Sequence, residues 1–390
     1  MSKNIFVFVV CGTLEHIDTL HLSLQYLKKY SKNEIYIITD SARNETPIIH
    51  ENIIDIKTDE KFNNHQASIY LKTGIHKFLP LGNNYCYLDT DVVAVSADCD
   101  NIFNEFVAPI TFAPDHCKVR KFSAYAVNCS CLTNRTSDRD KFNKYMDDIK
   151  KSTIFEPHLI DKNKELQAEF DKIKKSLVTK TTTAIRYFTS YPIFKFNEQF
   201  YFDKKKRTWH IASGEIIMHE VNVERIQEAT GLKYNKWNQK WLNKQGEDIW
   251  QDECNHLVEN IKSTFDINII DKNWQHWNGG VFLFNDLSHK FLDAWHNKTM
   301  HIFNLPEWKT RDQGTLITTA WEFGLQNHPT LSKKWNFIAD FYNINLGLKP
   351  TENIITDDGF NTSYNPAFVH VYHHWKNQDW IIWQWIETKL

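Results

Sequence analysis

The sequence predicts an α/β protein: a mostly parallel sheet flanked by helices and interrupted by a mixed α+β insertion. Three observations predict it. Strand and helix signals alternate through the first 115 residues, the pattern of a parallel sheet. Two carboxylates, Asp89 and Asp91, directly follow the apolar run Tyr85 to Leu88, and ligands of such sheets bind beyond the carboxyl ends of strands. The same α/β pattern returns from residue 271 onward.

Composition bounds the answer. A chain of 390 residues suits one large domain with an insertion, or two modest ones, and can bury a substantial core. Hydrophobic content of 42% and charged content of 24% fit a soluble globular protein. A formal charge of −2 gives no basic excess, so nucleic acid is not an expected partner. The 14 Trp read first as core residues, with stacking on sugar rings as the alternative. Seven scattered Cys without a Cys-x-x-Cys pair predict reduced thiols and a cytoplasmic setting. The apolar run Ile5 to Val10 is too short for a signal-peptide core, and no stretch approaches a membrane span.

The elements follow in order. Ile5 to Val10 predicts a buried strand. Ile17, Leu20, Leu24 and Leu27 predict a helix over 14–29. Ile35 to Ile38 is a second strand, closed by Thr39-Asp40, and Ile53 to Ile56 a short third. Ala67, Leu71, Ile75 and Phe78 share one face of a helix over 65–79, which Pro80 and Gly82 stop. Tyr85 to Leu88 is the next strand, and Pro109 to Phe112 another. The block 116–270 changes character. Residues 139–180 are charge-rich and helix-prone, Trp209 to Ile211 and Glu215 to Met218 predict short strands, and 247–262 predicts a helix. From 271 on, Trp277 to Asn285 predicts a glycine turn entering a strand. Helices are expected over 288–303 and from Arg311, and Ala367 to Trp375 predicts a strand ending in histidines. The tail Trp380 to Ile386 predicts a core-packing aromatic helix, or else a membrane-surface or oligomer contact.

The chemistry centres on Asp89-Thr90-Asp91. On a strand the two carboxylates point to one side. Such a pair can grip Mg²⁺ or Mn²⁺, hard cations that share oxygen ligands with a substrate phosphate. The alternative is two solvated turn aspartates. Gly279 and Gly280 allow close approach of backbone to a ligand. Asp40, at the end of the second strand, either meets a ribose or base or caps a turn. Thr13, just past the first strand, is expected to line the same pocket.

Together Lys72, Asp89-Thr90-Asp91, Asn278-Gly279-Gly280-Val281, Asp312-Gln313, Trp335-Asn336 and His370 resemble motifs of the nucleotide-sugar-dependent glycosyltransferases of the GT-A fold, nearest the glycogenin and bacterial lipopolysaccharide galactosyltransferase group. The resemblance implies a Rossmann-like, nucleotide-sugar-binding fold. Residues 1–115 would be its donor half, 116–270 an insertion or acceptor-side lobe, and 271–390 the rest of the core with the aromatic helix. It implies Mn²⁺ or Mg²⁺ held by Asp89, Asp91 and His370, with His373 as fallback. It implies donor contacts from Lys72, Asp89, Asn278, Gly279 and Gly280, and catalytic roles for Asp312 and Gln313 beside the reacting carbon. The family usually carries Arg where this chain has Lys72, which changes a bidentate phosphate contact into a point charge. Asp312 either takes the acceptor's proton, as an inverting enzyme needs, or steadies the cationic sugar, as a retaining one needs; its alternative is to N-cap the following helix. The implied partners are a nucleotide-sugar donor, a UDP-sugar first among them, and a glycan or lipid-linked acceptor of surface polysaccharide synthesis. A peripheral contact with a membrane is compatible with such an acceptor.

Two other classes compete. A phosphohydrolase of the haloacid-dehalogenase type would use Asp89 as nucleophile and Asp357-Asp358 as a late acidic motif, but its nucleophile follows the first strand, and here more strands precede Asp89. A non-catalytic carbohydrate-binding protein would use the many Trp residues and would not need Asp89, Asp91 and His370 together.

Overall fold

The computed structural model describes residues 2–152, 157–219, 223–349, 354–357 and 362–390. The chain forms two compact units, Met1–Cys129 with Glu253–Leu390, and Ser130–Asp252. The second lies within the 116–270 block set apart by sequence.

The first unit is a six-stranded sheet with helices against it. In chain order it holds β1 (Asn4–Val9), α1 (Leu14–Tyr30), β2 (Glu34–Thr39), β3 (Ile53–Asp55), α2 (Asn64–Thr73), β4 (Asn84–Leu88), β5 (Val92–Ala94), β6 (Thr111–Lys118) and α3 (Val119–Ala126). After the second unit come α4 (His256–Phe265), β7 (Gln275–Phe284), α5 (His289–Ile302), α6 (Arg311–Glu322), β8 (Phe337–Ile338), β9 (Phe368–His370) and α7 (Ile381–Glu387). The sheet order is β3-β2-β1-β4-β7-β6. β3, β2, β1 and β4 run parallel, and β7 runs against both of its neighbours. This is the mostly parallel α/β sheet that the alternating pattern predicts.

Period-two alternation loads both faces. Ile5, Val7 and Val9 of β1, Tyr85 and Tyr87 of β4, and Phe282 and Phe284 of β7 point to one core. Phe6, Phe8, Cys86, Leu88, Val281 and Leu283 point to the other. A sheet buried on both faces needs near-continuous apolar strands, and these are. α1 covers the second face with Ile17, Leu20, Leu24 and Leu27. α2 covers the first, and its start is set by a capping box: Gln66 N donates to Asn63 Oδ1 at 2.8 Å and Asn63 N to Gln66 Oε1 at 3.1 Å.

A smaller sheet, β8-β9-β5, stands beside the first. β9 runs antiparallel to β5, with His370 opposite Val92. That register brings the end of β9 next to the residue preceding β5, and Val371 N donates to Asp91 O at 2.9 Å. α7 packs Ile382, Trp383, Trp385 and Ile386 with Val93 and Val369. The aromatic tail is therefore core. Most Trp are buried, Trp277 and Trp295 fully.

The second unit, described by itself, has helices Cys131–Ser152, Pro157–Lys174 and Leu177–Thr189 and an antiparallel four-stranded sheet formed by Ile193–Lys195, Phe200–Asp203, Thr208–Ile211 and Ile216–His219. Phe194, Phe196, Phe200, Phe202 and Trp209 pack with Leu159 and Leu166. No helix among the described residues is long and apolar enough to cross a membrane.

Three element expectations need correction. The helix expected over 247–262 is α4, and it starts only at His256. The helix expected over 65–79 ends at Thr73, where Gly74 caps it and a 3-10 turn, Ile75–Lys77, follows. The strand expected through Trp375 stops at His370, and the chain then turns, with His374 and Lys376 both at φ 59°.

Candidate functional site

The site lies at the carboxyl ends of β1 and β4. A cleft of about 690 Å³ there is lined by Cys11, Thr13, His16, Asn64, Tyr87, Asp89, Thr90 and Asp312, and by His65, Ser68, Ile69 and Lys72 along one face of α2. A second cleft shares Thr13, His16, His65, Asp89 and Thr90 with it and adds Asp91, Tyr372 and Trp375. Just past β1 the chain turns at Gly12, φ 112°, where a Cβ would come within 2.8 Å of Asn64 Cβ. Only glycine suits that left-handed, tightly packed position.

Asp89 and Asp91 sit in the turn joining β4 to β5, rather than on a strand. Asp89 N donates to Gly280 O at 2.8 Å, and Val92 N closes the turn on Asp89 O at 3.1 Å. The paired ends of β5 and β9 supply the third member. One ligand atom each from Asp89, Asp91 and His370 falls within 4.8 Å of the others. His370 Nε2 lies 3.2 Å from Asp91 Oδ1. The contact is an ion pair without hydrogen-bond geometry, and Asp91 Oδ1 is shielded from solvent with no hydrogen-bond partner. A buried carboxylate oxygen left without a donor is costly unless a cation meets it. Burial opposes the charge on both groups, but each outweighs it for the other: Asp91 is held below the usual carboxylate range and His370 above the usual imidazole value. Two hard oxygens and one imidazole nitrogen fit a divalent ion such as Mn²⁺ or Mg²⁺.

Lys72 stands beside this group. Its Nζ is 3.1 Å from Asp89 Oδ1 and 3.4 Å from Asp312 Oδ2, and it lies 5.2 Å from the centre of the Tyr87 ring. Burial works against the ammonium, but Asp89 and Asp312 outweigh it and raise its pKa, so Lys72 stays a cation. Tyr87 donates its hydroxyl to Asp89 Oδ1 at 2.5 Å. Asp312 lies in the first turn of α6, whose N-cap is Thr310; its carboxylate is directed to Lys72 rather than to capping.

Behind the acidic pair runs a chain of amides. His370 Nδ1 faces Asn336 Oδ1 at 3.2 Å. Asn336 Nδ2 donates to Asn278 Oδ1 at 3.2 Å, which also accepts from Gly280 N at 2.9 Å. Asn278 Nδ2 donates to Asp115 Oδ2 at 3.0 Å. With Asn336 Oδ1 accepting at Nδ1, Nε2 is the ring nitrogen that faces Asp91, and it is the one that would bind a metal in the neutral ring. Gly280 has no room for a side chain: a Cβ would meet His370 Cε1 at 2.5 Å and Asp89 Oδ2 at 2.9 Å. Gln313 accepts from Gly279 N at 3.1 Å and donates to Trp277 O, so both ends of its amide are bonded to β7.

The structure thus brings together Lys72, Asp89, Asp91, Asn278, Gly279, Gly280, Asp312, Gln313 and His370, with Thr13 on the cleft wall. Asp40 stands apart. It is buried, and its Oδ2 accepts from Thr58 N and Oγ1, at 2.9 and 2.6 Å, and from Arg43 Nε at 3.1 Å. It is a turn-organising carboxylate outside both cleft linings. His373 is exposed with its ring 3.9 Å from Tyr372, outside the acidic group. Asp358 and the side chain of Asp357 lie outside the described residues.

Sequence reasoning missed Asp115, Tyr87, His65 and the role of Asn336. Asp115 has an 8%-exposed side chain, lying 3.0 Å from His116 Nδ1 and 3.7 Å from His276 Nε2. Burial works against its charge, yet His276 and His116 outweigh it and hold Asp115 well below the usual carboxylate range. The available signal was a charged residue inside a strand: β6 runs through Asp115, whereas the apolar run alone ended at Phe112.

Fold and site together define an α/β protein with a two-carboxylate, one-imidazole group and a buried lysine over a cleft at the sheet's edge. No family model and no curated protein matches the chain. Among solved structures it is similar to mouse xyloside xylosyltransferase 1 in its apo form (10% identity, 95% of this chain and 98% of that one, TM-score 0.37). It is similar to the galactosyltransferase LgtC in complex with donor and acceptor sugar analogs (10% identity, 99% and 95%, TM-score 0.42). It is also similar to the bifunctional glycosyltransferase WbbM (9% identity, 96% of this chain and 46% of that one, TM-score 0.40). Likenesses this distant carry no weight for activity, which has to be read from the side chains.

Proposed function

We propose that this chain is a metal-dependent glycosyltransferase, moving a sugar from a nucleoside-diphosphate donor to a glycan or lipid-linked acceptor. The observation that carries the proposal is the convergence of Asp89, Asp91 and His370 from two strand ends, with Asp91 Oδ1 buried, without a hydrogen bond and 3.2 Å from His370 Nε2. Asp89, Asp91 and His370 would hold the ion, Mn²⁺ or Mg²⁺. When bound, it acts as a Lewis acid on the diphosphate that leaves.

The remaining work falls to side chains. The bond from the sugar's anomeric carbon to the phosphate oxygen breaks, and one to an acceptor hydroxyl forms. Lys72 places a buried positive charge where the diphosphate gathers negative charge. The α2 face from His65 to Lys72 and the turn at Gly12–Thr13 wall the nucleotide cleft; a UDP-sugar is the donor that the family resemblance favours. Gly279 and Gly280 let backbone close on the donor sugar, and Gln313 holds that backbone in place. Asp312 offers a carboxylate beside Lys72, near the reacting carbon. Asn278 and Asp115 extend the polar wall away from the metal group. A surface polysaccharide or glycolipid is the product class that goes with this reading.

No described residue favours a phosphohydrolase, and Asp89 follows β4 rather than the first strand. The burial of most Trp removes the main support for a purely lectin-like reading, although Trp237 in the second unit is 99% exposed. The test is donor turnover with Mn²⁺, with excess chelator, and in Asp91→Asn. Turnover is expected to vanish with chelator. In the variant it should fall by at least the roughly 10- to 100-fold that loss of a single outer-shell partner costs a metal site. Full turnover in chelator would refute the proposal.

A further inference from the structure

A second group of metal-ligating side chains lies away from the cleft, in the first unit, where the chain leaves for residues 130–252 and where it returns. Cys129 follows α3, and Cys254 and His256 stand at the start of α4. One ligand atom from each of the three falls within 4.8 Å of the others. Cys254 is buried, Cys129 half-buried and His256 exposed. The two thiols are 125 residues apart in sequence, yet their sulfurs are 3.9 Å apart.

That separation is informative. A disulfide needs about 2.05 Å between sulfurs, and both cysteines are free thiols. Two thiolates on a tetrahedral zinc, each about 2.3 Å from the metal, stand roughly 3.8 Å apart. The observed spacing matches the edge of a zinc tetrahedron. Two thiols and one imidazole are the ligand types of structural zinc sites. Around Cys254 the outer contacts are in place. Ser123 Oγ accepts from Leu257 N at 2.9 Å and lies 3.2 Å from Cys254 Sγ, where its hydroxyl can donate to a thiolate. A hydroxyl donating to a sulfur is the kind of outer-shell bond that supports a metal-bound thiolate.

We propose that Cys129, Cys254 and His256 form a structural zinc site that ties the two chain crossings flanking residues 130–252. On binding, each cysteine gives its thiol proton to solvent and the imidazole binds in its neutral form, so no oxidant or reductant is needed. The site is separate from the Asp89, Asp91 and His370 group in ligand chemistry: thiolates select zinc, carboxylates select magnesium or manganese.

The experiment uses the full chain, purified under reducing conditions without chelator. Zinc content is measured for the wild type, Cys254→Ser and Asp91→Asn. One equivalent of zinc is expected in the wild type and in Asp91→Asn, with loss of that equivalent in Cys254→Ser. Because Cys254→Ser can fail to fold, two wild-type measurements stand beside it. Cobalt(II) added to the zinc-stripped protein is expected to give intense thiolate-to-metal charge-transfer absorption. Alkylation mapping is expected to find Cys129 and Cys254 protected with zinc and labelled after chelation. Absence of zinc after reconstitution, a cobalt spectrum without charge-transfer bands, unchanged labelling on chelation, or a Cys129–Cys254 disulfide peptide would each overturn the proposal.

Discussion

Asn336 shows how much of the site depends on single polar atoms. Its carbonyl fixes the ring of His370 and its amide fixes Asn278, both at 3.2 Å, and the residue is buried. Replacing it by alanine removes the partner that orients His370 while leaving all three metal-group side chains in the chain. We expect Asn336→Ala to weaken Mn²⁺ affinity by roughly 10- to 100-fold, with circular dichroism unchanged, as read by metal titration of donor binding. An affinity equal to wild type would mean that the ring is held by other means. Legibility at this scale was uneven. Asp89, Asp91 and His370 are visible in sequence because two acids one residue apart and a histidine at a late strand's end are unusual in apolar runs. Asp115 and the amide chain are not visible, because nothing in a sequence states which of many asparagines face one another. Asp40 misled for a related reason: an Asp at a strand's carboxyl end suits a ligand, but Thr58 and Arg43 had already satisfied it.

At the level of elements, β7 carries the most constraint. It pairs with β4 and β6, and its pairing with β6 shifts register between Asn278 and Phe282, across the two glycines. The irregularity lets backbone approach the acidic group. Gly280→Ala would set a methyl 2.5 Å from His370 Cε1, whereas at Gly279 the nearest atom is Gln313 Oε1 at 3.0 Å, the far end of a flexible side chain. We expect Gly280→Ala to cost about 1–3 kcal/mol of stability, as overpacking does, and to abolish metal-dependent donor binding; Gly279→Ala should retain more of both. Urea unfolding and donor titration check this, and equal behaviour of the two variants would contradict it. Strands and helices of the core were legible because their apolar periods are clean. α4 was placed too early because the polar stretch before Asn255 scores as helix, although its backbone makes turns. The strand into the histidines was drawn too long because alternation continues past His370 while its pairing partner, β5, does not.

For the whole molecule, the parallel sheet was legible from alternation, whereas the bounds of the unit Ser130–Asp252 were not, since no Gly- or Pro-rich linker marks them. Several buried histidines give the first unit a shared pH response. His296, between Thr73 and the Lys77–His76–Asp293 cluster, is pushed by burial down to about 4. The buried His76 and His276 are also lowered, chiefly by burial. A folded-state value below the unfolded one means that the unfolded chain binds protons first. The contribution is therefore complete above about pH 6.5 and is lost as pH falls toward 4. His370, whose value is raised, works in the opposite sense. We expect unfolding free energy to drop between pH 7 and pH 5, with His296→Gln removing on the order of 2 kcal/mol of that drop; an unchanged slope in the variant would contradict it. The account as a whole rests on one claim, that Asp89, Asp91 and His370 hold a cation that in turn holds a nucleotide diphosphate. Calorimetric titration of UDP into the full chain tests it most directly, with Mn²⁺ present, with Mn²⁺ chelated, and in Asp91→Asn. The account predicts binding only in the first case; equal binding in all three would contradict it.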